Sequence, residues 1–134
     1  NIVKDSIRIQ GHQRYFTMYL PDGMPEQAPL VFVLHGYGNN GKIKTWMNGS
    51  ADRHKFALCV PVGLEDPQKK RSWNVGYPFQ EGWEIDDVKT MCTMAKYVQK
   101  KYRLSKENTF LTGMSNCWAI PSRIRSRHWG HWPV

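Results

Sequence analysis

The first pattern along the chain is an alternation of side chains between Ser6 and Leu20. Residues typical of strands recur there at every second position: Ile7, Ile9, Tyr15, Thr17 and Tyr19. Gly11-His12-Gln13 interrupts the alternation, and Pro21-Asp22-Gly23 forms a turn after it. Period two is typical of β-strands, and a short Gly-containing interruption is typical of a hairpin. We therefore predict an antiparallel hairpin at the start of the chain.

Further along, apolar residues form short runs without alternation. Leu30–Leu34 and Phe56–Val60 are continuous runs of this kind, and Asn108–Thr112 is a third predicted strand. Strands that are covered on both faces need no polar positions, as in the middle of a mainly parallel sheet. We predict that Leu30–Leu34, Phe56–Val60 and Thr109–Thr112 are neighbouring strands of one such sheet.

Two helices are predicted between these strands. The first spans about residues 43–55, with Gly49 inside it as an unfavourable residue. The second is an amphipathic helix whose apolar residues recur at helical spacing: Ile85, Val88, Cys92, Ala95 and Val98. Acidic residues open this helix and basic residues close it, which matches the helix dipole. Alternating strands and helices indicate an α/β fold with a doubly wound sheet.

Some residues of the second helix could be mistaken for functional groups. Asp86 and Asp87 could resemble a catalytic acid, but their position at its start predicts that they cap and anchor the helix. Met91, Met94 and Tyr97 are predicted to pack in the core.

A long loop rich in glycine, proline and aromatic residues runs from Pro61 to about Trp83. Loops of this length are usually functional. Trp73 and Asn74, in its middle, either line a cleft or only hold the loop in place, and the sequence does not separate these alternatives.

The composition excludes some classes of protein. The 134 residues carry a net charge of +8, with 40% hydrophobic and 13% aromatic residues, which is typical of a globular domain. No apolar stretch approaches the roughly 20 residues of a membrane-spanning helix, and the chain does not open with a signal-peptide pattern. No recognition motif accompanies the basic charge, so nucleic acid is not an expected partner. The three cysteines lack the spacing of a zinc site.

The first chemical motif is Gly113-Met114-Ser115-Asn116, which directly follows the last predicted strand. In an α/β-hydrolase the nucleophilic serine occupies a tight strand-to-helix turn, and the amide after it is one oxyanion donor. Ser115 is accordingly the predicted nucleophile, and Asn116 supplies the first oxyanion amide. The alternative is that Ser115 is an ordinary turn serine.

The second motif is His35-Gly36-Tyr37-Gly38, which follows the strand Leu30–Leu34. In the same fold the loop after that strand supplies the second oxyanion amide, which we assign to Tyr37. Gly36 and Gly38 let the backbone approach a substrate carbonyl. His35 precedes the serine, contrary to the chain order of a catalytic base in this fold, so we predict that it supports its loop by hydrogen bonds.

Together these motifs resemble the secreted polyhydroxybutyrate depolymerase and feruloyl/acetylxylan esterase group of α/β-hydrolases. The landmarks that carry the resemblance are Arg14-Tyr15, Tyr19-Leu20-Pro21, Pro29-Leu30-Val31, His35-Gly36-Tyr37-Gly38, Ala51-Asp52-Arg53, Pro61-Val62-Gly63, Arg71-Ser72-Trp73-Asn74, Asp86-Asp87-Val88 and Asn108-Thr109 to Ser115-Asn116. The resemblance implies hydrolysis of monomeric or polymeric carboxylic esters by a Ser-His-Asp triad without metal or organic cofactor. It also implies a secreted or periplasmic location.

The resemblance stops after Asn116. The family continues with glycine where this chain has Cys117, and residues 117–134 form an atypical tail rich in Trp and Arg. No acidic residue follows Glu107, although the triad acid should come after the serine. We therefore expect residues 1–116 to be the N-terminal part of an α/β-hydrolase domain, cut off after the nucleophile strand by truncation or a change of reading frame.

The tail leaves several readings open. His128 and His131 follow Ser115, but nothing in the sequence assigns either to the base position. Cys117 could be an alternative nucleophile, although a thiol without a visible base is better explained as an apolar residue. The alternatives to an active esterase are a catalytically inactive product and a basic module that binds polyanions.

Overall fold

The computed structural model describes residues 1–35, 47–74 and 80–113. Along the chain these residues form β1 (Ile2–Ile9), β2 (His12–Tyr19), β3 (Ala28–Leu34), α1 (Asn48–His54), β4 (Ala57–Pro61), β5 (Leu64–Glu65), β6 (Arg71–Ser72), α2 (Asp87–Lys101) and β7 (Leu104–Gly113). None of the helices in this part of the chain has the length and apolar content needed to cross a membrane.

Five of the strands form one mixed sheet in the order β1-β2-β4-β3-β7. β3 lies between β4 and β7 and is parallel to both. The prediction of three neighbouring central strands is therefore confirmed. The hairpin is antiparallel, and its strand β2 joins the sheet antiparallel to β4. Parallel pairing joins β4, β3 and β7 in the described residues, and the antiparallel hairpin at the edge makes the sheet mixed.

The hairpin turn consists of Gln10 and Gly11, since Ile9 is the register partner of His12. Both turn residues have positive φ, 53° for Gln10 and 77° for Gly11. This is the backbone twist that favours two-residue hairpins, and glycine adopts it without strain. The predicted hairpin is confirmed, and it begins earlier than expected because β1 includes residues 2–5.

Burial on both faces explains the uninterrupted apolar runs. In β3, Leu30, Phe32 and Leu34 belong to the core beneath α2, whereas Val31 and Val33 pack on the opposite face. The second face also includes Ala51 of α1. Val31 and Val33, which alternation would have left polar, are therefore covered by the second cluster.

The strand β2, which lies between β1 and β4, is buried on one face, and its tyrosines are on the other face. Phe16 and Met18 are buried, together with Arg14, whereas Tyr15 is 60% exposed. Tyr19 is half-buried on the same side as Tyr15, and its hydroxyl donates hydrogen bonds to the Asp52 carboxylate at 2.7 and 2.8 Å. This contact ties the hairpin to α1.

The predicted helices are observed with different limits. The first helix, expected from about residue 43, is α1; residues 43–46 lie outside the described residues, and Lys55 ends it in a left-handed conformation. α2 has Asp86 as its N-cap, whose side chain accepts a hydrogen bond from the Lys89 amide at 3.0 Å. Met91 and Met94 of α2 are fully buried in the core that α2 forms with the sheet, and Tyr97 packs against this core.

The last strand starts earlier than the sequence predicted. β7 begins at Leu104 rather than Asn108, and an irregularity in its register separates the pair Ala28–Leu104 from the pair Leu30–Thr109. Exposed residues in this irregular stretch remove the apolar pattern on which a strand prediction depends.

Candidate active site

The two loops that carry the predicted chemistry begin side by side. Leu34, the last residue of β3, is the register partner of Gly113, the last residue of β7, and the strands are parallel. The carboxyl ends of both strands therefore lie at the same edge of the sheet, where ligands bind in open α/β sheets. Ser115 follows Gly113 by two positions in the chain.

Most of the predicted site residues are outside the described residues. These are the nucleophile Ser115, the oxyanion donors Tyr37 and Asn116, and the loop glycines Gly36 and Gly38. Their roles, and the packing of residues 35–38 against residues 113–116, stay predictions. The same holds for Cys117, His128 and His131.

His35 is the one residue of its motif that the structure describes, and it is held at two atoms. Its ring nitrogen Nε2 accepts a hydrogen bond from the Gly63 amide at 2.8 Å. Its carbonyl oxygen accepts a hydrogen bond from the indole nitrogen of Trp73 at 3.0 Å. The two rings lie against each other, with centroids 4.9 Å apart and an interplanar angle of 36°. These are the kinds of contact expected of a residue that orients its loop.

Gly63 and Trp73 flank the small hairpin formed by β5 and β6. The buried carboxylate of Asp66 stabilises its turn by accepting hydrogen bonds from the amides of Gln68 and Lys70 and from the Ser72 hydroxyl. A methyl group at Gly63 would lie 2.6 Å from the Ser72 carbonyl oxygen, so only glycine fits there without a shift of the backbone. The long loop is therefore partly ordered by its own hairpin.

Asn74 connects this hairpin to α2. Its side-chain amide donates hydrogen bonds to the carbonyl oxygens of Trp83 and Ile85, each at 2.8 Å. Its backbone amide donates to Asp87 Oδ2 at 2.6 Å. These contacts, like that of the Trp73 indole, hold the loop in place. Of the two alternatives for Trp73 and Asn74, these contacts fit residues that hold the loop in place. That either residue lines the cleft stays a prediction.

Asp87 also forms a fully buried ion pair. Its Oδ1 lies 2.9 Å from Arg14 Nη2, and both side chains are essentially inaccessible to solvent. Arg14 Nη1 donates a further hydrogen bond to Thr90 Oγ1 at 3.1 Å, whereas Arg14 Nε has no partner within the described residues. Burial raises the pKa of the Asp87 carboxyl, and the nearby Arg14 charge and Asn74 amide oppose that effect. Asp87 thus anchors α2, as predicted.

Sequence reasoning missed the roles of Arg14, Gly63 and Asp66. Arg14 lies on the buried face of β2 together with Phe16 and Met18. The available signal was therefore a charged residue that alternates with apolar residues along one strand. Gly63 directly follows the Pro61-Val62 pair at the end of β4. Neither signal identifies the residue that is contacted. Arg14, for example, pairs with Asp87, which is far away in the chain.

The described residues include no group of three or more His, Cys, Asp or Glu side chains arranged to hold a metal ion. Cys59 and Cys92 are free and buried. Burial raises the pKa of the Cys59 thiol well above its usual range, so this thiol is not a reactive nucleophile.

The family comparison agrees with this geometry. The model of the Esterase family, described as "Putative esterase", matches residues 7–117. The chain belongs to the Esterase family. No curated protein matches the sequence.

Solved structures resemble the fold of this Esterase family member. An acetyl xylan esterase from Aspergillus awamori superposes with a TM-score of 0.63 at 13% identity, over 83% of this chain and 42% of that chain. The structure titled "Crystal Structure of pOPH Native" gives 0.69 at 19% identity, over 94% and 49%. An S-formylglutathione hydrolase from Agrobacterium tumefaciens gives 0.65 at 14% identity, over 85% and 48%. The α/β-hydrolase-type fold is confirmed, and the chain spans about half the length of these relatives.

Proposed function

We propose that the protein is a serine esterase that hydrolyses carboxylic esters, with Ser115 as its nucleophile. The observation that carries this proposal is the pairing of Leu34 with Gly113 at the carboxyl ends of adjacent parallel strands. In this architecture one loop presents the nucleophile and the neighbouring loop presents an oxyanion amide. Membership of the Esterase family supports the same reaction.

In the proposed reaction, the Ser115 hydroxyl attacks the ester carbonyl carbon and the alcohol leaves. Water then releases the acid from the acyl-enzyme. The amides of Tyr37 and Asn116 stabilise the oxyanion of both tetrahedral intermediates, and one such donor contributes about 3 kcal/mol. A histidine base and an acid that orients it complete the triad. We do not assign His35 as that base, because its Nε2 already accepts a hydrogen bond from the Gly63 amide.

We further propose esters of aryl acids, acetylated sugars or hydroxyalkanoates as substrates, and a location outside the cytoplasm. Both follow from the resemblance of the motifs to the polyhydroxybutyrate depolymerase and feruloyl/acetylxylan esterase group. The acetyl xylan esterase among the similar structures supports the substrate class. A panel of p-nitrophenyl acetate, ethyl ferulate, acetylated xylan and polyhydroxybutyrate separates these substrates.

The decisive experiment compares the protein encoded by the complete gene with its Ser115→Ala variant on p-nitrophenyl acetate. Loss of a triad nucleophile should lower kcat by a factor on the order of 10³ or more. Ser6→Ala, in the edge strand β1 at the opposite side of the sheet from β7, is a matched control outside the motif and should leave the rate unchanged. Hydrolysis that is insensitive to Ser115→Ala would contradict the proposal.

The second candidate function is a catalytically inactive product. The observation that favours it is the absence of any Asp or Glu after Glu107. If the complete gene encodes no acid and histidine beyond this sequence that can complete the triad, no Ser115-dependent hydrolysis is expected, and the second candidate replaces the first. Binding of a polyanion would instead appear as an affinity that falls steeply with salt.

A further inference from the structure

The indole of Trp73 is completely buried, and its single N–H donates to the backbone of the predicted oxyanion loop. The acceptor is the carbonyl oxygen of His35, the first residue after β3. An indole has one donor and no acceptor, so this hydrogen bond satisfies its entire polar capacity. The contact therefore links a large, immobile side chain to one specific peptide group.

The hydrogen bond from Trp73 matters because of where the His35 peptide group lies in the chain. It is the group through which the chain leaves β3 toward Tyr37, the proposed oxyanion donor. Because a peptide group is planar, fixing the carbonyl oxygen of His35 also fixes the plane of the whole group. The direction in which the loop starts is then determined by Trp73 and not only by the strand.

Trp73 is itself held from several sides. Gln80, also buried, donates a hydrogen bond to the Trp73 carbonyl oxygen at 2.8 Å. The next residue, Asn74, is tied to Asp87 and, through that carboxylate, to Arg14 of β2. The backbone at Trp73 and Asn74 is thus tied to α2 and the sheet, and such support from rigid elements is what a precise site requires.

We propose that Trp73 is a positioning residue of the esterase: its indole N–H orients the His35 peptide group, from which the predicted oxyanion loop with Tyr37 starts. The proposal rests on the proposed function. It assigns to Trp73 a role in the transition state without contact to the substrate. Loss of the N–H should therefore lower kcat and leave substrate binding nearly unchanged.

The test replaces the Trp73 side chain by benzothienylalanine, which keeps the shape of the indole and substitutes sulfur for the N–H. The same replacement at Trp83 is the matched control, because the Trp83 indole has no hydrogen-bond partner within the described residues. Both replacements are made in the protein encoded by the complete gene. Three quantities are measured: kcat and KM on p-nitrophenyl acetate, the melting temperature, and the affinity for an aryl trifluoromethyl ketone.

We expect the replacement at Trp73 to lower kcat by about 10-fold to 100-fold, the effect of a small misplacement of a catalytic group. KM should change by less than about twofold. The ketone forms an oxyanion on the serine, so its affinity should fall by the same factor as kcat/KM. The replacement at Trp83 should leave all three quantities unchanged.

Two results would overturn the proposal while the proposed function stands. The first is Ser115-dependent hydrolysis with a kcat that the Trp73 replacement does not change. The second is a lower melting temperature with unchanged ketone affinity, which would make Trp73 a residue of the core only. If the unmodified protein shows no Ser115-dependent hydrolysis, the proposed function fails first, and the role of Trp73 fails with it.

Discussion

Leu34 and Gly113 are register partners at the ends of two adjacent parallel strands, although 79 positions separate them in the chain. This pairing brings the starts of two distant loops to one edge of the sheet. The segments that follow Leu34 and Gly113 therefore leave the sheet from neighbouring positions. Such proximity is the geometric requirement for a nucleophile and an oxyanion donor to act on the same ester group.

The first prediction concerns the activity of the 134-residue chain by itself. It should hydrolyse p-nitrophenyl acetate no faster than its own Ser115→Ala variant. The reason is that no Asp or Glu follows Glu107, and a serine hydroxyl without an oriented base is a weak nucleophile. A Ser115-dependent burst of p-nitrophenol from soluble monomer would show instead that His128 or His131 serves as the base.

The second prediction concerns the buried ion pair. Asp87→Ala should lower the free energy of unfolding by about 3–5 kcal/mol, because it leaves the Arg14 guanidinium buried without its counter-charge. It also removes the acceptor of the Asn74 amide. Urea unfolding followed by circular dichroism measures the change. Glu84→Ala, at an exposed position three residues earlier, is the control and should change stability by less than about 0.5 kcal/mol. A similar stability for both variants would contradict the structural role of Asp87.

The third prediction compares one chemical change at two glycines. Gly63→Ala should destabilise the protein by about 1–3 kcal/mol, because the new methyl group would meet the Ser72 carbonyl oxygen at 2.6 Å. Gly49→Ala should stabilise it by about 0.5–1 kcal/mol, because Gly49 is an exposed position of α1 and alanine favours helix. Thermal unfolding of the two variants should therefore shift in opposite directions. A Gly63→Ala variant that is as stable as the wild-type protein would show that the close approach of Gly63 to Ser72 is not rigid, and a destabilised Gly49→Ala variant would contradict the helix argument.

The fourth prediction concerns the pH dependence of stability at Asp5. Partial burial by itself raises the pKa of this carboxyl, but hydrogen bonds from Lys101 and the Ser6 amide outweigh it and hold the pKa below its ordinary value. A carboxyl whose pKa is lowered by folding stabilises the protein above its unfolded-state pKa of about 3.9. That contribution is lost as the pH falls through the lower value in the folded state.

Asp5→Asn tests this dependence. The wild-type protein should be more stable than the variant above about pH 5, and the difference should shrink as the pH falls below about 4. Asp22→Asn, at an exposed turn position, is the matched control for the loss of one carboxylate. The measurement is urea unfolding at several pH values. A difference between wild type and Asp5→Asn that stays constant down to pH 3 would contradict the prediction.

The sequence by itself determined those elements whose pattern is local. The uninterrupted apolar run Leu30–Leu34 indicated a strand covered on both faces, and the spacing of apolar residues from Val88 to Val98 indicated the face that α2 buries. Asp86 was recognisable as a cap because capping involves residues within one turn of a helix. The order of motifs after strands was enough to identify the α/β-hydrolase type.

Only the tertiary structure decided which distant residues meet. The face of β2 that is buried, the ion pair between Arg14 and Asp87, and the hydrogen bonds of His35 to Gly63 and Trp73 have no local signature. Each depends on the way β2, β3 and the β5–β6 hairpin are placed relative to one another. The physical reason is that periodicity reports whether a position is covered, whereas the identity of the covering group depends on chain segments tens of residues away.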